Sequence, residues 1–284
     1  MKPTSRRWNP PSASCSRLAS LLLLGAIVLT AQRLPTDKGV NFYSFDKEIT
    51  IGQLGAEEFT RSATVLRGPQ VNEYLKALGH KLSAATASYH QFPYTFAVIR
   101  AGTPPPPMAF PSNSKDPAVI EAIALPGGPI FVPAELVDNL DNESQLAAVL
   151  AHAIAHIALR HSTRKASRGE IANLSNQNMP PDLKNVGAMQ ISIGFLAFDR
   201  AFENEADKLA VHILTQAGYD PAAFTAYLRK LPAVGNPMYS ALPDPQSRIR
   251  TVEAAIQSLP AATYAPESAQ FADWKKAVSA AAAQ

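Results

Sequence analysis

Cysteine is almost absent from this chain. Of its 284 residues only Cys15 carries a thiol, and it lies before the apolar run Leu18–Ala31. A disulfide framework is therefore excluded from the rest of the chain, and so is a lipid anchor on a cysteine following that run. A membrane-spanning stretch is also lacking, since Leu18–Ala31 falls short of the roughly 20 residues a bilayer requires and is closed by Arg17 and Arg33. Acidic residues are missing from the first thirty-odd positions, where Lys2, Arg6, Arg7 and Arg17 precede the apolar run. That layout predicts a secretory signal over residues 1–32. An uncleaved N-terminal anchor is the alternative, because "VLTAQR" offers Ala31 without a clean pair of small residues. The Arg6-Arg7 pair lacks the apolar residues that follow a twin-arginine signal.

A basic excess disappears with that leader. Taking its four basic residues from the 26 lysines and arginines leaves 22 against 23 acidic residues, a net charge near zero. No clustered basic footprint for nucleic acid is left. The whole chain is 46% hydrophobic and 17% charged, the composition of a globular protein with a sizeable core. An exported, periplasmic or envelope protein stabilised by that core is the expected class, with peripheral membrane association as a possible partner surface.

Helical spacing of apolar residues runs from Phe45 to Ala85, with Val71, Tyr74, Leu75, Leu78 and Leu82 on one face. "YTFAVIRA", Tyr94–Ala101, reads as a strand, and the proline-rich "GTPPPPMAFPSNSKDP" after it as a surface insertion. "AVIEAIALPGGPIFVP" then reads as two short strands turning at Pro126-Gly127-Gly128. Asn142 and Gln145 form a capping-box pattern that opens a helix running to about Arg164, with Leu146, Val149, Leu150, Ile154 and Ile157 on its apolar face. The polar stretch Ser167–Lys184 is expected to be a mobile loop, and Ser167–Asn185 a candidate lid. A further helix is expected from about Arg200 to Ala217, capped by Gly218, followed by helical segments Pro221–Leu231 and Pro245–Leu259. There is no internal repeat.

His152 and His156 are one helical turn apart and leave the same face, so they can hold one cation between them. Catalytic zinc uses three protein ligands and a water. Glu203 is the candidate third ligand, and Asp207, one turn further on, a candidate acceptor that fixes a histidine's tautomer. The competing readings are two ordinary core histidines and a solvated acidic face, of which Glu205 is an example. His80, His90, His161 and His212 read as structural or exposed, and His161 is expected to be rotated away from the paired face. Arg248 either contacts a substrate oxyanion or pairs with an acid such as Asp244.

"LAAVLAHAIAH" followed by "RHS", "ALPGG" before it, and "ENEADKLAVHILTQAGYDP" after it together resemble the gluzincin zinc metallopeptidases that include the CAAX prenyl proteases and HtpX. The likeness covers roughly Ile49–Leu259 and is strongest to the soluble periplasmic branch. It implies an α+β, mainly helical, zincin-like domain over residues 33–265, with a C-terminal tail over 266–284. It implies one zinc ion on His152, His156 and Glu203, with Asp207 behind them. It also implies a small sheet whose edge strand, at Glu121, Ala122 and Ile123, lines the cleft and pairs with an extended peptide.

Three positions depart from the family pattern. Ala153 stands where the general base of H-E-x-x-H belongs, Glu121 replaces an asparagine of the edge-strand motif, and Leu242-Pro243 replaces a His-Pro ahead of Arg248. General acid–base catalysis contributes about a hundred- to ten-thousand-fold, so the expected enzyme is an impaired zinc metalloendopeptidase acting on unfolded or misassembled envelope proteins. The alternative is an inactive zinc-binding pseudoprotease that serves as chaperone or assembly factor. Glu121 is the candidate substitute base.

Overall fold

The expected hairpin forms, and it sets the position of everything around it. In the computed structural model, which describes residues 34–100, 121–177, 184–233, 242–264 and 267–284, and of residues 176 and 184–195 the backbone alone, a three-stranded sheet has the order β1-β3-β2. Strand β1 (Thr95–Ile99) runs parallel to β3 (Pro129–Pro133), and β2 (Ile123–Ala124) pairs with β3 antiparallel, Ile123 opposite Phe131. The turn between β2 and β3 needs glycine at Gly127 and Gly128, whose φ values are +75° and +135°. A Cβ on Gly127 would also lie 2.5 Å from the Ile49 Cα. The outer side of β1 is covered by Thr64–Leu66, through Leu66 N–H to the Val98 carbonyl and Arg100 N–H to the Thr64 carbonyl. Among the described residues β2 has only β3 as a neighbour, so it is the sheet's open edge.

Helices supply the rest, and the protein is mainly helical as expected. The lead-in is two helices, α1 (Phe45–Ser62) and α2 (Pro69–Ser83), separated at Gly68-Pro69. A five-residue helix, α3 (Ala134–Asp138), links β3 to α4 (Glu143–Ala158). Asn142 caps α4 by accepting from the Gln145 N–H at 2.9 Å. The reciprocal half of the box is displaced by one residue, because the Gln145 side chain accepts from the Asp141 N–H instead.

Every residue of α4 from Ser144 to Ala158 is buried, including the face opposite Leu146, Leu150 and Ile154. A helix apolar all round belongs at the centre of a core, and its alanines at 147, 148, 151, 153, 155 and 158 let neighbours approach closely. Those neighbours are α2, α6 (Lys184–Gln216), α7 (Ala222–Leu228) and β2.

Two expectations are corrected between α4 and α6. The first helix does not run to Arg164. It ends at Ala158, and Arg160 adopts φ +59°, a left-handed conformation that redirects the chain before α5 (His161–Gln177) begins. Arg160 is held there by Glu48, at 2.7 Å, and by stacking on the Phe45 ring. The polar stretch from Ser167 is no loop, since α5 continues to Gln177 and α6 starts at Lys184, well before Arg200. Polarity misled because α5 buries only its first turns, at Thr163, Arg164 and Ser167. Residues 178–183 of the candidate lid lie outside the described residues, as do the proline-rich insertion and the leader.

At the far end of α6 the expected cap forms as a Schellman motif. Gly218 N–H donates to the Thr215 carbonyl and Tyr219 N–H to that of Leu214, with Gly218 at φ +80°. Helix α8 (Pro245–Gln257) packs on α6 and α7. The tail contributes α9 (Gln270–Ala282), whose Phe271, Trp274 and Val278 join the main core, with Trp274 donating to the Val71 carbonyl. No helix among the described residues is long and apolar enough to cross a membrane.

Candidate metal centre

Helices α4 and α6 lie side by side and bring His152, His156 and Glu203 together. Their ligand atoms fall within 4.8 Å of one another, and all three residues are buried. His152 Nε2 lies 3.3 Å from Glu203 Oε2, and His156 Nε2 lies 3.5 Å from Oε1. The two Nε2 atoms are 2.9 Å apart. Neither oxygen of the buried Glu203 carboxylate receives a hydrogen bond, and the nearest fixed cation, Arg248 Nη2, stands 3.8 Å off. An orphaned buried carboxylate is costly unless a cation or proton serves it. Two imidazole nitrogens and one carboxylate form a donor set suited to zinc, so the residues present fit the ion.

Asp207 stands where the sequence suggests. Its Oδ1 is 3.0 Å from His152 Nδ1, which therefore carries the proton and leaves Nε2 facing Glu203. Arg248, on α8, forks onto the same carboxylate, with Nη2 at 2.8 Å and Nε at 3.0 Å. Its third contact is Glu121 Oε1, 2.8 Å from Nη1. Arg248 therefore pairs with Asp207 and Glu121 rather than with Asp244, which caps α8 by accepting from the Gln246 N–H. Leu242 and Pro243 are buried just ahead of that cap.

His161 is not rotated away. The left-handed turn at Arg160 brings its ring back, and His161 Nδ1 lies 2.9 Å from His156 Nδ1. Its other nitrogen meets Glu205 Oε2 at 3.2 Å, and Arg164 Nη1 reaches the same oxygen at 3.2 Å. Glu205, expected as plain surface charge, is thus half-buried and engaged. The signal in the sequence is the run Phe202, Glu203, Glu205, Asp207, which carries chemistry on two adjacent faces of one helix. Reading it requires knowing that α5 packs against the second face. His80, His90 and His212 lie apart: His80 meets the edge of Phe96, His90 stacks on Phe45, and His212 is half-buried.

The electrostatics differ between the two rings. Burial and the Arg248 charge push His152 down, yet the Asp207 and Glu203 carboxylates outweigh them and raise it to about 9. Burial, with His152, His161 and Arg248 nearby, holds His156 well below the ordinary histidine value. Burial likewise lowers His161 to about 4, against the opposing pull of Glu205. Glu203 is raised by burial, whereas Arg248 keeps Asp207 low despite it.

Ala153 sits between the histidines, 2% exposed, on the helix that presents them. Its methyl group can neither take nor give a proton. Of the expected edge strand only Ile123 falls in β2; Glu121 lies two residues before it, one oxygen held by Arg248 and the other buried without a hydrogen-bond partner.

A buried helix pair with two histidines, a facing glutamate and an open sheet edge defines a metallopeptidase-type domain. Comparison with known proteins places it more closely: the model of peptidase family M48 matches residues 69–256, and the chain belongs to that family. It is similar to the beta-barrel assembly-enhancing protease of Yersinia pestis, 28% identical over 239 residues, covering 75% of this chain and 46% of that protein. The Escherichia coli K12 protein of the same name is 26% identical over 210 residues, covering 66% of this chain and 38% of that one. The mitochondrial metalloendopeptidase OMA1 of Schizosaccharomyces pombe is 32% identical over 142 residues, 46% of this chain and 42% of that protein. The chain spans less than half the length of each of these relatives.

Proposed function

We propose that this chain is an envelope protein that binds one zinc ion at His152, His156 and Glu203. In this reading it engages extended segments of unfolded or misassembled proteins along β2, and its peptide hydrolysis is impaired by Ala153. The orphaned Glu203 carboxylate facing two histidine nitrogens carries it. Zinc, when bound, supplies Lewis acidity toward the scissile carbonyl and lowers the pKa of a water to about 7. Asp207 keeps His152 in the ligating tautomer, and Arg248 keeps Asp207 ionised. The backbone at Glu121, Ala122 and Ile123 pairs with the peptide, whose register it sets without reading side chains. Residues 1–32 act as secretory signal or anchor, 33–265 form the peptidase-like domain, and 266–284 complete its core. The assembly-enhancing names of the bacterial relatives support clients in the envelope.

Loss of the base removes the group that positions the attacking water and carries its proton to the leaving amine. Glu121 is the carboxylate left to attempt that work, through its unpartnered oxygen. A second reading, an inactive chaperone or assembly factor, is favoured by the ion pair that ties Glu121 to Arg248.

Casein hydrolysis by the zinc-loaded chain and by its Ala153→Glu variant tests the assignment. The variant should cut about a hundred- to ten-thousand-fold faster. Equal rates would mean that another group supplies the base. If Glu121→Gln then leaves that activity unchanged, Glu121 plays no part. Suppression of client aggregation without any cleavage would favour the chaperone.

A further inference from the structure

We propose that His161 and Glu205, backed by Arg164, are positioning residues that hold His156 in the zinc-ligating tautomer. The inference rests on the zinc reading of the site and adds to it a second outer layer, in which α5 supplies His161 and Arg164 and α6 supplies Glu205.

His156 Nδ1 and His161 Nδ1 lie 2.9 Å apart on the side away from Glu203, so they share one proton and cannot both be protonated or both be bare, whereas the equally close Nε2 atoms of His152 and His156 flank the metal position. Glu205 decides the direction. As a carboxylate it only accepts, so the His161 Nε2 beside it, at 3.2 Å, carries a hydrogen. Both rings are buried, and burial favours the uncharged imidazole, which has one N–H. His161 Nδ1 is then bare and accepts from His156 Nδ1–H, which leaves His156 Nε2 as a lone pair facing Glu203. Without this chain His156 could place its hydrogen on Nε2 and block the metal.

The layer is held rigidly. Phe202 stacks on the His161 ring, centroids 4.4 Å apart, and Arg164 lies over the Phe202 ring while donating to both Glu205 and the Leu159 carbonyl. Arg160 in its left-handed turn is what allows a residue five positions beyond His156 to face it. Outer-layer partners of metal-bound histidines carry about 10–100-fold in metal affinity when removed.

Zinc affinity, measured by chelator competition on the full chain, should fall about 10–100-fold in His161→Ala and Glu205→Leu. Glu205→Gln, which can still accept from His161 Nε2–H, should stay closer to the unmodified chain than Glu205→Leu does. His212→Gln, a histidine far from the site, should change nothing. Unchanged affinity in a folded His161→Ala protein would overturn the proposal. Should the variants fail to fold, nitrogen NMR on the unmodified chain decides: His156 with its hydrogen on Nδ1 and His161 with its hydrogen on Nε2 supports the relay, and the reverse pattern overturns it. That pattern is readable without metal. Failure of the unmodified chain to bind one zinc would therefore overturn the metal site, and the tautomers would still test the relay.

Discussion

The two histidines of α4 are one turn apart, yet they are held by opposite means. His152 is set in an ion network, with Asp207 and Arg248 buried around it and the largely covered Glu121 beyond. His156 rests on the His161 ring, whose other nitrogen meets Glu205, a side chain 34% exposed. Both arrangements leave an Nε2 facing Glu203. The ionic side gains orientation from two-pronged contacts but must be complete, because each buried charge lacks water to fall back on. The ring side costs less to bury and keeps its charge where solvent reaches it. One helix turn therefore presents two ring nitrogens to Glu203 with very different proton affinities, His152 raised to about 9 and His156 well below the usual value.

The largest expected effect would erase that contrast. His152→Ala and His156→Ala should each cost more zinc affinity than the ~10–100-fold that an outer-layer loss costs, measured by equilibrium dialysis. A variant that still binds one equivalent as tightly as the unmodified chain would remove that ring from the ligand set. The contrast sharpens when the two cations are removed instead. Arg248→Met leaves Glu121 without its ion-pair partner and Asp207 with His152, and should lower stability by about 3–5 kcal/mol. Arg164→Met leaves only the partly solvated Glu205 and should cost ~1 kcal/mol or less. Urea unfolding of the metal-free variants would read the difference, and equal losses would mean that both sides are equally ionic. Smallest is Asn142→Ala, which removes the α4 cap and should cost about 1 kcal/mol. Because the cap lies at the far end of the helix, it should leave both histidines and the zinc affinity as they are.

The spaced pairs of the ionic side were legible in the sequence, while the partners of Arg248 and the ring side were not. His152 and His156, and Glu203 and Asp207, are spaced by four, and a helix places such pairs on one face whatever surrounds it. The Gly127-Gly128 turn, the Asn142 cap and the Gly218 ending were readable for the same reason, since each depends on neighbours within a few residues. His161 defeated that logic because it sits across a helix break that only Arg160's contacts with Glu48 and Phe45 stabilise. Glu205 looked like surface charge until α5 covered it. Polar α5 read as a loop because only its first turns are buried. The tail helix α9 was missed because its three core contacts, Phe271, Trp274 and Val278, stand in an alanine-rich stretch that suggests no partner.

By itself the sequence determined two histidines and a glutamate on two helices that could hold a metal, a glycine-turned hairpin beside them and membership signals strong enough to name a family. Those are local patterns, set by helical and strand periodicity and by backbone steric limits. Tertiary structure alone decided which acids Arg248 would bind, that α4 would be buried on every side, and that His161 would turn back onto His156. Each of those depends on residues 40 to more than 110 positions apart meeting in space, and burial then sets their protonation, which no spacing along the chain can specify.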